Sequence, residues 1–263
     1  MKDYLNIAIK SAIEAGIAIL EIYEEEIDVS LKDDRSPLTA ADLASNQVIN
    51  SYLKATDIPV ISEENKQLPY AERRQWKRCW IVDPLDGTKE FIKKNGEFTV
   101  NIAICDNQTP ILGVIYVPVT RELYYADVQD GKAYKTLLDK DHGLQGALFE
   151  DKDAIMPGQL SNGTFRVVGS RSHMNDDTLH YIDGVRADYE DVEIVSKGSS
   201  LKFCLVAEGK ADVYPRFAPT MEWDTAAGHA ICRAVGLKVT SQASKKELQY
   251  NKEDLLNPYF LVE

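Results

Sequence analysis

The chain has 263 residues, enough to bury a large core, with 44% hydrophobic and 9% aromatic residues, as expected of a globular protein. Its 42 acidic against 30 basic residues give a formal net charge of -12, which argues against a nucleic-acid polymer as partner, because such binding leaves a basic footprint. No apolar run reaches membrane-spanning length, Met1-Lys2-Asp3-Tyr4 lacks the apolar core of a signal peptide, and Cys79, Cys105, Cys204 and Cys232 show no paired spacing. A cytoplasmic protein with buried, reduced thiols and no integral membrane segment is expected.

Ile9, Ala12, Ile13, Gly16, Ile17 and Leu20 recur at helical spacing and predict a long amphipathic helix over 3–24. A second helix is expected over 40–53, where Thr39 and Asp42 have capping-box spacing. Short apolar runs predict strands at 59–62, 79–82, 98–105, 111–117 and 122–126. Residues 118–120 read as a hairpin connection, so the sheet should be antiparallel or mixed. The polar stretch 136–163, with Gly143, Gly146, Gly158 and Gly163, reads as a loop or lobe boundary. Beyond it the pattern predicts a strand at 165–168, a helix at 199–208, a strand at 211–214 and a helix at 226–234. The alternation implies layered α/β structure in one catalytic domain of two packed lobes, 1–150 and 151–263.

Several strand ends carry carboxylates. Asp83-Pro84-Leu85-Asp86-Gly87-Thr88 follows the apolar run Trp80-Ile81-Val82 and places two acids three residues apart at a turn. The Leu85 carbonyl adds a hard oxygen, and the Gly87 and Thr88 amides can meet a phosphate if a helix starts there. An ordinary Asp-Pro turn explains the same residues. The spacing fits neither an EF-hand loop, in which Gly87 would stand one place early, nor an aspartyl-phosphate enzyme, so the nucleophile is expected to be water. Glu63 and Glu64 close the strand at 59–62, and Asp224 stands before the last helix, where it also suits an N-cap. Four carboxylates and a carbonyl suit a hard cation such as Mg2+. Asp42 has two readings: partner of Thr39 in a capping box, or acceptor for the Thr88 hydroxyl beside an activated water.

Gly169-Ser170-Arg171-Ser172-His173 follows a strand, and Gly198-Ser199-Ser200 precedes a helix, so both can offer hydroxyls and amides to an anion. Arg171, Lys202 and Arg216 are cations in an acidic protein, able to hold a second phosphate or simply solvated at the surface. Tyr214 and Phe217 either flank a base or pack, and His142, His180 and His229 are read as structural.

Taken together, these segments, with Lys32 to Asp42 and Tyr214 to Asp224, resemble the inositol monophosphatase superfamily, metal-dependent and lithium-sensitive phosphatases, and within it the 3'(2'),5'-bisphosphate nucleotidase branch. The resemblance implies the αβαβα sandwich of the sugar-phosphatase fold. It implies two or three Mg2+ ions, with Glu63, Asp83 and the Leu85 carbonyl on one and Asp83, Asp86 and Asp224 on a second. It makes Thr88, backed by Asp42, the residue that orients the attacking water. Gly87, Thr88, Ser170, Arg171, His173, Ser199, Lys202, Arg216 and Asp224 become the substrate-binding set. Ser62 departs from the family, many of whose members carry Gly there. The implied reaction is removal of the 3'-phosphate of adenosine 3',5'-bisphosphate, and of its sulfated counterpart, by a monomer or homodimer. An inositol monophosphatase or broader sugar phosphatase, and a catalytically silent metal- or nucleotide-binding regulator, are the alternatives.

Overall fold

The computed structural model describes residues 1–24, 29–31, 37–158, 163–170 and 175–263. Helix α1 (Lys2–Tyr23) buries Leu5, Ala8, Ile9, Ala12, Ala15 and Ile19 along one stripe. After a short antiparallel pair, β1 (Val29–Leu31) with β2 (Pro37–Thr39), comes α2 (Ala40–Leu53), which packs against α1. The main sheet then forms from β3 (Val60–Ser62) and, beyond a single helical turn α3 (Tyr70–Arg73), β4 (Arg78–Asp86). A five-residue helix α4 (Thr88–Ile92) follows, and the sheet continues through β5 (Thr99–Asp106), β6 (Thr109–Val117), β7 (Glu122–Asp127), β8 (Lys132–Leu137) and β9 (Ala154–Ile155). The seven strands lie in chain order, with β3 and β4 parallel and the rest antiparallel. Asn107 and Gln108, both at positive φ, close the two-residue turn from β5 to β6, the backbone shape that matches strand twist.

Strand side chains alternate between two cores. Trp80, Val82, Val100, Ile102 and Ile104 face α1 and α2, whereas Cys79, Ile81, Ala103 and Cys105 face the opposite layer. That layer is α6 (Leu201–Ala207) with α7 (Ala226–Ala234). Outside it lie two small sheets. One pairs β10 (Thr164–Ser170) in parallel with β11 (Asp191–Lys197), and the other places β14 (Phe260–Val262) between β12 (Tyr214–Arg216) and β13 (Val239–Ser241). A Val167–Val213 bridge joins them, and α5 (Asp176–Asp188) packs on their outer side. The order helix, sheet, helix, sheet, helix is the expected layered α/β sandwich.

Most predicted elements fall within a residue or two of those observed, and α2 and α7 coincide with their predicted ranges. Elements not anticipated include β1, β2, α3, β8, β9, α5, β11, β13 and β14. The strand expected at 211–214 lies at Tyr214–Arg216 instead, because its ladder is set by β14, with Pro215 opposite Leu261. All four cysteines are free and buried, and no helix among the described residues is long and apolar enough to cross a membrane.

Helix α7 can lie flat on the sheet because β6 has no side chain beneath it at Gly113. A Cβ there would collide with the Ala227 carbonyl oxygen and stand 2.8 Å from the Ala230 Cβ. Gly113→Ala should therefore cost about 1–3 kcal/mol through overpacking, read as a lower denaturation midpoint in urea. Gly184→Ala, in α5 with nothing near its added methyl, should instead leave the midpoint unchanged or raise it.

Candidate metal centre

Residues three apart on a regular strand point to opposite faces. Asp83 and Asp86 do not, because β4 bulges between them: Asp83 pairs with Asn101 and Asp86 with Thr99, so β4 carries one residue more than β5. Pro84, which has no amide to contribute to a ladder, sits in that bulge. Both carboxylates consequently face the α6–α7 layer, while the Leu85 side chain joins the other core. Asp224 arrives on the turn that enters α7. Carboxylate oxygens of Asp83, Asp86 and Asp224 lie within 4.8 Å of one another. Glu63 follows β3, its amide donating to the Val82 carbonyl at 3.2 Å, and lines the same pocket outside that trio.

Three acids this close repel. Burial, reinforced by Glu63, Asp86 and Asp224, pushes the Asp83 carboxyl well above the usual range. Burial and the charges of Asp86 and Glu63 push Asp224 up to about 8. The trio is all oxygen, with no imidazole or thiolate among the described residues of the cluster. Hard oxygen donors with uncompensated negative charge fit a divalent cation of the Mg2+ kind.

Each acid is held from behind. Asp83 Oδ1 accepts the Leu85 amide at 3.0 Å, and Asp224 Oδ2 accepts the Met221 amide at 2.8 Å. Asp86 Oδ2 accepts from the hydroxyls of Ser199 at 2.6 Å and Ser200 at 2.7 Å. The Asp224 turn is anchored by Glu222, a fully buried carboxylate that accepts the Asn251 and Lys252 amides and the Lys252 ammonium. Sequence reasoning assigned no role to Glu222, Asn101 or Thr99, and read Ser200 as part of an anion-binding turn. An acid two residues from Asp224 was the one visible signal.

The two readings of Asp42 prove compatible. Its Oδ2 closes the capping box, accepting the Thr39 amide at 2.8 Å and hydroxyl at 2.6 Å. Its Oδ1 accepts the Thr88 hydroxyl at 3.3 Å. Gly87 opens α4 at φ +96, where a Cβ would be strained and would stand 3.2 Å from the Glu97 carbonyl oxygen. Ser62, the departure noted above, donates to the Asn46 side chain and leaves Glu63 in place.

Glu63, Asp83, Asp86, Gly87, Thr88 and Asp224 line one pocket of about 360 Å3, together with Lys197, Lys202, Tyr214 and Arg216. Lys202 is buried, which lowers its ammonium to about 8, and it donates to the Ser199 carbonyl at 2.5 Å. Arg216 donates from Nη2 to the Pro219 carbonyl at 3.0 Å, while its buried Nε has no hydrogen-bond partner among the described residues. Ser170 ends β10 with its backbone in register with Lys197. Arg171 and His173 lie outside the described residues. Phe217 packs against Tyr181 and Tyr259 and does not line the pocket. His229 packs beside Tyr250, and His142 pairs with Tyr116.

A model of the inositol monophosphatase family matches residues 1–261. A 3'(2'),5'-bisphosphate nucleotidase CysQ of Salmonella typhimurium is 45% identical over 252 residues, covering 94% of each chain. The crystal structure of CysQ from Bacteroides thetaiotaomicron superposes with a TM-score of 0.87 at 50% identity, covering 100% of this chain and 97% of that one. An inositol monophosphatase from Anabaena, at 22% identity and TM-score 0.72 over 99% and 90% of the two chains, shares the fold.

The raised carboxyls predict how metal and pH act together. Because the fold raises Asp83 and Asp224 above their unfolded values, it favours their protonated forms. The Asp224 contribution to metal-free stability is full below about pH 4 and lost as pH rises through about 8, and Asp83 acts in the same direction. In chelator the Tm should fall over this window, and the rise produced by Mg2+ should be larger at pH 8 than at pH 5.5. Asp86→Asn should raise the metal-free Tm while removing most of the Mg2+ increment. A Tm indifferent to Mg2+ at both pH values would contradict the assignment.

Proposed function

The chain belongs to the inositol monophosphatase family, and from that premise we propose that it is a Mg2+-dependent 3'(2'),5'-bisphosphate nucleotidase. It removes the 3'-phosphate of adenosine 3',5'-bisphosphate, leaving AMP and inorganic phosphate. The observation that carries this reading is one pocket combining an all-carboxylate cluster with several cationic side chains, Lys202 and Arg216 among them. A single scissile phosphate, already neutralised by divalent cations, does not call for both. A second phosphate does.

Glu63, Asp83 and the Leu85 carbonyl would hold one ion, and Asp83, Asp86 and Asp224 another. When bound, Mg2+ supplies Lewis-acid neutralisation of charge on the phosphoryl oxygens. The amides of Gly87 and Thr88, at the first turn of α4, bind the scissile phosphate. The Thr88 hydroxyl commits its proton to Asp42, so its lone pairs accept a hydrogen bond from the water that attacks phosphorus. The new bond is water oxygen to phosphorus, the attacking water releasing one proton to solvent, and the bond that breaks joins phosphorus to the 3' oxygen, which takes a proton from solvent as it leaves. Arg216, whose Nε has no hydrogen-bond partner among the described residues, and Lys202 hold the 5'-phosphate and position the reacting end.

Thr88 and Asp42 should behave as one unit. Thr88→Ala and Asp42→Ala should each lower kcat by roughly a hundredfold or more, and the double variant should be little worse than the poorer single. Independent, additive losses in steady-state assays would separate the capping role of Asp42 from catalysis.

A phosphate-release panel tests the substrate. Adenosine 3',5'-bisphosphate should be preferred over 3'-AMP and inositol 1-phosphate in kcat/KM. Arg216→Glu should erase roughly tenfold or more of that preference while sparing the slow hydrolysis of small monophosphates. Equal efficiency on inositol 1-phosphate would reassign the enzyme to sugar-phosphate chemistry.

A further inference from the structure

The two oxygens of Asp86 live in different surroundings. Oδ2 is enclosed by neutral donors: the Ser199 hydroxyl at 2.6 Å, the Ser200 hydroxyl at 2.7 Å and the Asn101 amide nitrogen at 3.4 Å. Behind them stands Thr99, its hydroxyl 2.6 Å from Ser199 Oγ and 3.0 Å from Asn101 Oδ1. Thr99 and Asn101 lie on β5 opposite Asp86 and Asp83, so the bulge that turns both acids to one face also sets this frame beneath them.

The protons in this frame run one way. The Asn101 Nδ2 can only donate, and it gives a proton to Ser200 Oγ at 2.8 Å. Ser200 is thereby left to use its own proton on Asp86 Oδ2 or on the Asp224 carbonyl, 3.0 Å away. The Thr99 hydroxyl donates to Asn101 Oδ1, fixing that amide, and can share the same proton with Ser199 Oγ, whose own proton goes to Asp86 Oδ2. The opposite orientation of the Asn101 amide would set its oxygen against a carboxylate. Ser199 is held for this task in a costly backbone shape, φ +54. Its carbonyl accepts Lys202, and the preceding Gly198 amide donates to Glu97 Oε2 at 2.8 Å.

We propose that Ser199 and Ser200, oriented by Thr99 and Asn101, are positioning residues that saturate Asp86 Oδ2 and so aim Oδ1 at the cation. Ser200 also couples Asp86 to the turn that carries Asp224. The inference rests on the metal centre described above, and it moves the Ser199 side chain from substrate contact to support of the metal ligands. Outer partners of this kind are worth about 10–100-fold in metal affinity.

The test is calorimetric titration of Mg2+ into the metal-free full-length protein without substrate, followed by steady-state kinetics with adenosine 3',5'-bisphosphate. Ser199→Ala and Ser200→Ala should each weaken Mg2+ binding by about tenfold, with KM for the nucleotide little changed once Mg2+ is saturating. Thr99→Val should weaken Mg2+ in the same direction, and Thr99→Ser, which keeps the hydroxyl, should restore it. Should Ser200→Ala fail to fold by circular dichroism, Ser199→Ala and the Thr99 pair decide the matter. Unchanged Mg2+ affinity with a raised KM would overturn the proposal and assign the hydroxyls to the substrate. No Mg2+ binding by the unaltered protein would overturn the metal centre itself, a failure distinct from the first.

Discussion

The repulsion among Asp83, Asp86 and Asp224 is the constraint around which this molecule is arranged. Carboxylate oxygens within 4.8 Å of one another, one of them on a residue only 1% exposed, do not stay together unless the surrounding structure makes retreat more costly than proximity. The retaining elements are identifiable. The β4 bulge fixes two of the acids, while α7, seated closely over Gly113, fixes the third. The buried Glu222, tied to the chain at Asn251 and Lys252, keeps the turn before α7 from relaxing outward. None of these supports brings a positive charge into contact with the trio. The attraction that offsets the repulsion is left for a ligand to supply.

The acids also join parts of the chain that are distant in sequence. Asp83 and Asp86 belong to the central sheet, whereas Asp224 and the hydroxyls over Asp86 come from segments more than a hundred residues later. The apolar layer between them is shared: Ile81, Ala103 and Cys105 of the sheet lie in one cluster with Phe203, Cys204, Ala227 and Ile231. Packing of α6 and α7 is thus a condition for assembling the pocket, and the cations placed there, Lys202 and Arg216, come from the same late half. The early half presents Asp83, Asp86 and Thr88, and the late half presents Asp224 with Lys202 and Arg216.

Legibility from sequence followed the strength of the local signal. The first helix was readable from helical spacing, with Ile9, Ala12 and Gly16 buried as expected and Ile13, Ile17 and Leu20 only half-buried, while β4, β5 and β6 were readable as apolar runs because both of their faces are buried. The strand β8, Lys-Ala-Tyr-Lys-Thr-Leu, was not, since it carries two lysines near the end of the sheet, and α5 and β11 are largely exposed and charged. Asp83, Asp86 and Asp224 were visible as acids at turns. Thr99 and Asn101 were not, because neutral polar residues inside an apolar run look like strand filler until register places them opposite a carboxylate. Asp42 could not be resolved from spacing for a simple reason: its two oxygens serve both candidate partners.

The bulge in β4 has a further consequence, concerning length rather than chemistry. A strand encodes facing by odd and even count. Asp83 and Asp86 share a side of the sheet because one residue is spent without advancing the pairing. Were these same residues paired without the bulge, their odd spacing would drive one acid into the apolar layer of Trp80, Val82 and Phe98, although every ligand would still be present in the chain. Exchanging Leu85 for another apolar residue would leave the count intact. Spacing and bulge are therefore tied together: an odd spacing between the two acids needs one unpaired residue, and an even spacing would need none.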